Sequence, residues 1–261
     1  MAEILDLDAE VLSDYHREVI AWVTAACVAA GRPRRVIDVG AGTGTGTLAL
    51  ARQLPEAEVI ALDVDGDMLE SIQRKARAAG VDGRVRTVQA DLDKPWPEDI
   101  HQAGLVWAAN SLHHMGDPGG AVARIYAVLR PGGLVAVTEM ESFPRFLTDR
   151  AGEALEERVH AAMARAREEA GMHMHEDWPA RLAEAGFAIE AERRFDVVLG
   201  PPLPPAAVRY AQLSLHRARH NMEDRLSADD LAALDAIAAG IPDRDDLTIR
   251  TGRTVWLARR S

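Results

Sequence analysis

Little in this chain of 261 residues invites a disulfide, a membrane or a nucleic acid. It has one cysteine, Cys27, so no internal disulfide can form, and the surrounding AACV reads as a helix core position. A reducing cytoplasm is the expected setting. No stretch of about eighteen uncharged apolar residues occurs, and the amino terminus, MAEILDLD, is acidic and lacks the basic region of a secretory signal. A soluble protein with no membrane partner is expected. Only two lysines stand beside 28 arginines, a usage that fits a GC-rich genome rather than a function. The net charge is −11, and the basic clusters Arg32-Arg34-Arg35 and Arg217-Arg219 with His216 and His220 are short, so no nucleic-acid partner is expected. There is no internal repeat and no low-complexity linker, and 48% apolar residues suffice to fill one large α/β core.

What is present is concentrated in residues 36–44, VIDVGAGTG. An apolar strand runs into a turn paced by Gly40, Gly42 and Gly44, which lets the backbone bend tightly and lie close to a ligand. Residues 45–54 can then begin a helix whose first amides face that ligand. The spacing is not that of a dinucleotide site. Aligning G-x-G-x-x-G on Gly40 and Gly42 puts Thr45 at the third glycine, and aligning it on Gly42 and Gly44 puts Thr47 there. An NAD-dependent oxidoreductase is therefore the weaker reading.

With Asp38 included, the run reads D-x-G-x-G-x-G and resembles the first motif of the class I S-adenosylmethionine-dependent methyltransferases of the small-molecule type. Further matches follow in that family's order: VIALD ending at Asp63 resembles its second strand, VQADL with Asp91 and Leu92 its third, LVWAANSLHH its fourth strand and following loop, and LRPGGL the turn into the fifth. They cover roughly residues 34–140. The resemblance implies S-adenosylmethionine as cofactor, with Asp63 on the ribose hydroxyls, Asp91 and Leu92 near the adenine, and Asn110 on the methionine moiety. Gly40, Gly42 and Gly44 would cradle the ligand, with Asp38 near its methionine end. Open alternatives remain: Asp38 as a turn residue, Asp93 in place of Asp91, and Met68 either against the adenine or in an ordinary helix core. His113 and His114, in the loop facing the methyl end, are the candidate catalytic residues, with loop ordering as their other possible role.

The expected fold is α/β: a Rossmann-like, doubly wound seven-stranded sheet with its last strand antiparallel and helical cap inserts. Residues 1–31 read as a helical lid, with a helix over 8–30 whose apolar face is Leu12, Tyr15, Val19, Val23, Ala26 and Ala30. Residues 32–140 are the cofactor-binding core, 141–178 a helical insert with a run over 149–170, and 179–199 a continuation of the core with a strand over 186–199. Residues 200–246 are a second helical insert, with helices over 206–222 and 227–239, the latter opened by a capping-box-like start at Ser227. Residues 247–261 supply the last strand. Inserts of this length usually serve function or oligomerisation, and a homodimer is one expectation. Another is a pocket roof for a small-molecule acceptor, drawing on Tyr15, His16, Phe143, Trp178 and Tyr210, with Phe146, His160 and His216. Glu139 and Glu141 flank Met140 as a possible acid–base pair. His173, His175 and Glu176 invite a metal reading, but no second cluster at ligand spacing accompanies them and no metal is expected.

Transfer of a sulfonium methyl depends on placing a nucleophile behind the carbon and excluding water. An S-adenosylmethionine-binding protein that is non-catalytic, or that catalyses another reaction, fits the same motifs.

Overall fold

The computed structural model describes residues 1–174 and 176–261. The elements follow in the order α1 (Ala2–Val11), α2 (Ser13–Ala29), β1 (Arg35–Val39), α3 (Thr45–Gln53), β2 (Glu58–Asp63), α4 (Gly66–Ala78), β3 (Val85–Gln89), β4 (Ala103–Ala109), α5 (Pro118–Val128) and β5 (Leu129–Met140). Then come α6 (Arg150–Glu169), α7 (Trp178–Glu184), β6 (Phe187–Leu199), α8 (Pro205–Asn221), α9 (Ala228–Gly240) and β7 (Ile249–Arg260).

The seven strands form one sheet in the order β3-β2-β1-β4-β5-β7-β6. The first five are mutually parallel, and β7 runs antiparallel between β5 and β6. Both faces are covered. Alternate residues of the central strands enter two separate cores: Val36, Val59, Ala61, Leu105 and Trp107 on one face, and Ile37, Val39, Ile60, Leu62, Val106 and Ala108 on the other. The chain order reverses between β1 and β4, where the carboxyl ends of neighbouring strands open a crevice.

At the amino terminus the structure corrects the expected helix over 8–30. Helix begins at Ala2, and the two segments meet at Leu12, whose backbone departs to φ −96°, ψ 26°. Ile4, Leu7 and Val11 repeat at spacings of three and four and pack against the core, so the acidic lead-in is itself an amphipathic helix. Leu12 is buried at the joint. The other helices of the inserts lie within a residue or two of their expected bounds, and the Ser227 side chain caps α9 by accepting from the Asp230 amide at 3.1 Å.

Candidate active site

The glycine turn is built where β1 ends at the crevice. Gly40, Gly42 and Gly44 have φ of 68°, 52° and 91°, and Gly44 is the N-cap of α3. The amides of Gly40 and Ala41 both donate to the Leu62 carbonyl, at 2.9 and 3.0 Å, which pins the turn to β2. A Cβ on Gly40 would stand 2.4 Å from the Ser111 Cβ, and Ser111 Oγ donates to the Val39 carbonyl at 2.7 Å. Only glycine lets the two loops close to this distance. Gly46 was missed by the motif, though it continues the same every-second-residue spacing; a Cβ there would lie 2.5 Å from Trp107 Nε1.

Asp38 lies under the turn and is buried. Burial pushes its carboxyl up to about 7, against the pull of Thr47, whose hydroxyl donates to Oδ2 at 2.6 Å. Asp63, at the end of β2, accepts from the Gly42 amide at 2.7 Å and from the Asp65 amide at 2.9 Å, one bond to each oxygen. A carboxylate oxygen takes two such bonds, so acceptor capacity remains for two hydroxyls. Asp65 caps α4 by accepting from Asp67 and Met68, which leaves Asp63 free of that duty. Asp91 accepts from the Asp93 amide and pairs with Lys94 at 3.0 Å; the Lys94 hydrogen bond holds its carboxyl below the ordinary range. Both oxygens of Asp93 are taken by the amides of Gly116 and Asp117.

The loop after β4 supplies the far wall. Asn110 sits in the left-handed region at φ 50°, its amide donates to the Thr138 carbonyl at 2.8 Å, and its Oδ1 is buried with no partner among the described residues. A short turn, Leu112–His114, follows. Glu139, at the end of β5, is buried; it accepts from the Leu112 amide at 3.1 Å and meets His113 Nδ1 at 2.5 Å. That leaves Nε2 as the ring atom able to face a ligand. The His114 ring lies 4.1 Å from that of His113. Burial first, then the neighbouring His113 and Arg167, push His114 down to about 4, so it is neutral near pH 7. Glu139 and Glu141 do not face each other: Glu141 accepts from Thr254 Oγ1 and pairs with Arg194.

Three cavities converge here. The first, of about 610 Å³, is lined by Asp38, Gly40, Gly42, Asp63, Met68, Asp91, Leu92, Asn110 and His114, and also by Asp8 and His16. Its volume lies within the range of small-molecule sites. Gly44 does not line it. The second, of about 280 Å³, is bounded by α1 through Leu5 and Asp8, by α6 through His160, Met163 and Arg167, by α8 through Tyr210, and by Leu234 of α9. His113, His114, Phe143 and Phe146 also line it. The third, of about 520 Å³, shares Phe143, His160 and Arg167 with the second.

The roof is tied together by polar contacts that no local motif announces. The Tyr210 hydroxyl donates to Asp8 Oδ1 at 2.8 Å and Arg253 Nη2 donates to the same oxygen at 3.2 Å. Burial raises the Asp8 carboxyl, but Arg253, His16 and Tyr210 together outweigh it and hold it below its ordinary value. Asp8 and Arg253 were both missed by sequence reasoning. Tyr15 bonds Thr138 Oγ1 at 2.9 Å and packs edge-on against Phe195, lining none of the three cavities.

Trp178 is placed apart from the roof. It is buried in the other core with Val122, Leu182 and Phe187, because it opens α7 on the opposite face of the sheet. No group of three metal-ligating side chains occurs among the described residues. His173 Nδ1 lies 3.4 Å from Glu176, which Arg181 also engages, and His175 lies outside the described residues.

Residues 36–133 match the family model described as a methyltransferase domain. A demethylmenaquinone methyltransferase of Thermus thermophilus is 36% identical over 114 residues, 43% of this chain and 50% of that protein. A 27-O-demethylrifamycin SV methyltransferase of Amycolatopsis mediterranei is 29% identical over 71% of this chain and 65% of its own length. The chain spans about half the length of the first of the curated relatives it matches. Among solved structures, the [4+2]-cyclase SpnF has the same fold at 24% identity, with a TM-score of 0.57 over 94% of this chain and 80% of that one. The match over residues 36–133 gives this chain a methyltransferase domain, and its motif order and strand order agree with those of the class I S-adenosylmethionine-dependent methyltransferases.

Proposed function

We propose that the chain binds S-adenosylmethionine in the first cavity and transfers its methyl group to a small organic acceptor held in the second. The observation that carries this reading is that Leu5, Asp8, Asn110 and His114 line both cavities. A ligand filling the first therefore ends where the second begins. The residues fit the cofactor: Gly40 leaves room for close backbone approach, Asp63 keeps acceptor capacity for the ribose hydroxyls, and the buried, unpartnered Oδ1 of Asn110 suits an ammonium donor. When bound, the cofactor supplies a methyl carbon already activated by a positively charged sulfur.

The chain's own task is then to orient the acceptor, exclude water and accept a proton where the acceptor is a hydroxyl. We assign this role to His113: its Nδ1 meets Glu139, which supports a reading in which Nε2 takes the proton and the carboxylate stabilises the resulting imidazolium. His114, pushed down to about 4, is a poor base and serves better as a neutral wall at the join of the cavities.

Incubating the protein and methyl-labelled S-adenosylmethionine with a fractionated metabolite extract tests the proposal by mass spectrometry. The expected result is S-adenosylhomocysteine together with a small molecule carrying one labelled methyl. A tight complex with no label transferred, but with a product of unchanged methyl count, would favour a non-methylation reaction, for which the cyclase of the same fold is a precedent. Binding of NAD without binding of either sulfur ligand would overturn the cofactor assignment. Asp63→Ala should weaken S-adenosylhomocysteine binding by about tenfold or more, from the loss of charge-assisted bonds to the ribose.

A further inference from the structure

The third cavity adjoins the second through Phe143, His160 and Arg167, so an acceptor seated in the second can extend into it. Two guanidiniums line the third cavity, those of Arg145 and Arg167. Neither forms an ion pair among the described residues. Among the described residues Arg167 Nη1 meets only the Met174 sulfur, at 3.5 Å, and its Cζ lies 4.1 Å from the centroid of the Phe143 ring. Burial alone pushes its guanidinium down to about 10, with no carboxylate acting in the other direction.

The carboxylates of the same wall are otherwise engaged: Glu141 pairs with Arg194 and Glu176 with Arg181. Glu168 also lines the cavity, yet it does not offset the burial of Arg167. Nor does His160 add a third cation, since burial and then Arg145 push it down to about 4. A half-buried guanidinium on an aromatic face, with no counter-ion among the described residues, is matched best by an oxyanion whose two adjacent oxygens accept two parallel hydrogen bonds.

Resting on the acceptor reading above, we propose that the third cavity is an anion subsite: the acceptor carries a carboxylate or phosphate bound by Arg167 and Arg145, with its planar or apolar body along Phe143. The oxyanion would then fix which end of the acceptor points toward His113 and the cofactor.

Calorimetry on the protein loaded with S-adenosylhomocysteine tests this with three probes of one shape, 2-naphthoate, 2-naphthyl phosphate and the neutral 2-naphthamide. At least one anion should bind about tenfold tighter than the amide, and which one distinguishes carboxylate from phosphate. Arg167→Gln should erase the preference and Arg145→Gln should reduce it, with S-adenosylhomocysteine affinity unchanged in both. Equal affinities for all three probes, or a preference kept in Arg167→Gln, would overturn the proposal. Failure of the wild-type chain to bind S-adenosylhomocysteine would instead sink the cofactor reading beneath it. Should Arg167→Gln not fold, Arg145→Gln and Arg167→Lys carry the test, and a preference unchanged in both overturns it.

Discussion

The floor and the roof of the candidate site are held by contacts of different reach. In the floor, Thr47 bonds Asp38 from nine residues away, and Gly42 bonds Asp63 from 21 away. In the roof, Tyr210 reaches Asp8 across 202 residues, and Arg253 reaches Asp8 across 245. The floor is thus built mainly by β1, the glycine turn, α3 and β2, which follow one another, and is closed by the longer bond from Ser111 to Val39 across 72 residues. The roof exists only after the chain has brought its first helix, its two inserts and its last strand together. Substitutions in the floor should act through backbone geometry, and substitutions in the roof through charges left without partners.

The largest break should come from Gly40→Ala. The new Cβ meets Ser111 at 2.4 Å in a backbone region that disfavours a side chain. Left-handed strain and overpacking together should cost ~2–4 kcal/mol in denaturant unfolding, with S-adenosylhomocysteine binding lost. Unchanged binding would mean that the turn and the Ser111 loop separate freely.

In the roof, Asp8→Asn leaves the buried Arg253 guanidinium without its counter-charge, facing only neutral acceptors: the amide oxygen, Thr251 Oγ1 and the Gly252 carbonyl. Removing one partner of a buried pair costs several kcal/mol; here Asp8 is partly exposed, so ~2–3 kcal/mol is expected. The pH dependence has a defined sign. The folded Asp8 carboxyl lies below its ordinary value, so its contribution is complete above pH ~4 and is lost as pH falls through the folded value. The stability gap between wild type and Asp8→Asn should therefore close in acid. A gap that is constant with pH would assign the loss to packing.

The contrast in reach explains what was legible in the sequence. Asp63, Asp91 and the glycine turn are legible through their resemblance to a family's ordered motifs, which are short because strand ends and turns are local events, and the alternating strands and helices imply the sheet. Asp8 carries no such signal: in the acidic MAEILDLD it looks like a solvated charge, and only the packing of α1 on α8 turns it toward Tyr210 and Arg253. Arg253 reads as an ordinary strand residue. Trp178 lies in a segment continuous with the first insert, and only the return of α7 to the opposite face of the sheet separates it from Phe143 and His160.

Asp38 sharpens the comparison, because it is the floor residue whose charge should respond to a ligand. Its folded carboxyl is raised to about 7, so the folded state holds a proton that the unfolded state has released. Stability attributable to this group should fall as pH rises from ~4 to about 7 and then level off, and Asp38→Asn should remove that slope. A cationic ligand favours the ionised form, so S-adenosylmethionine affinity should rise about tenfold between pH 6 and 8 in the wild type and stay flat in Asp38→Asn. Parallel pH profiles in the two proteins would show that Asp38 stays in one protonation state.

The smallest effect is expected at Trp178, which tests where the roof ends. The ring packs among Val122, Leu182 and Phe187, and Asp177 caps the same helix by accepting from the Ala180 amide at 3.0 Å. Trp178→Phe keeps an aromatic ring there and removes part of its volume, so a loss of ~1 kcal/mol from imperfect filling is expected, well short of a truncation to alanine. None of that loss should reach the ligands, because no wall of the three cavities includes this residue. The measurement pairs a denaturant melt with steady-state kinetics on the acceptor found by labelling. Lower stability with KM and kcat within about twofold of wild type would place Trp178 in the core alone. A shift in acceptor KM without a loss of stability would return it to the roof and extend the acceptor site around the edge of the sheet.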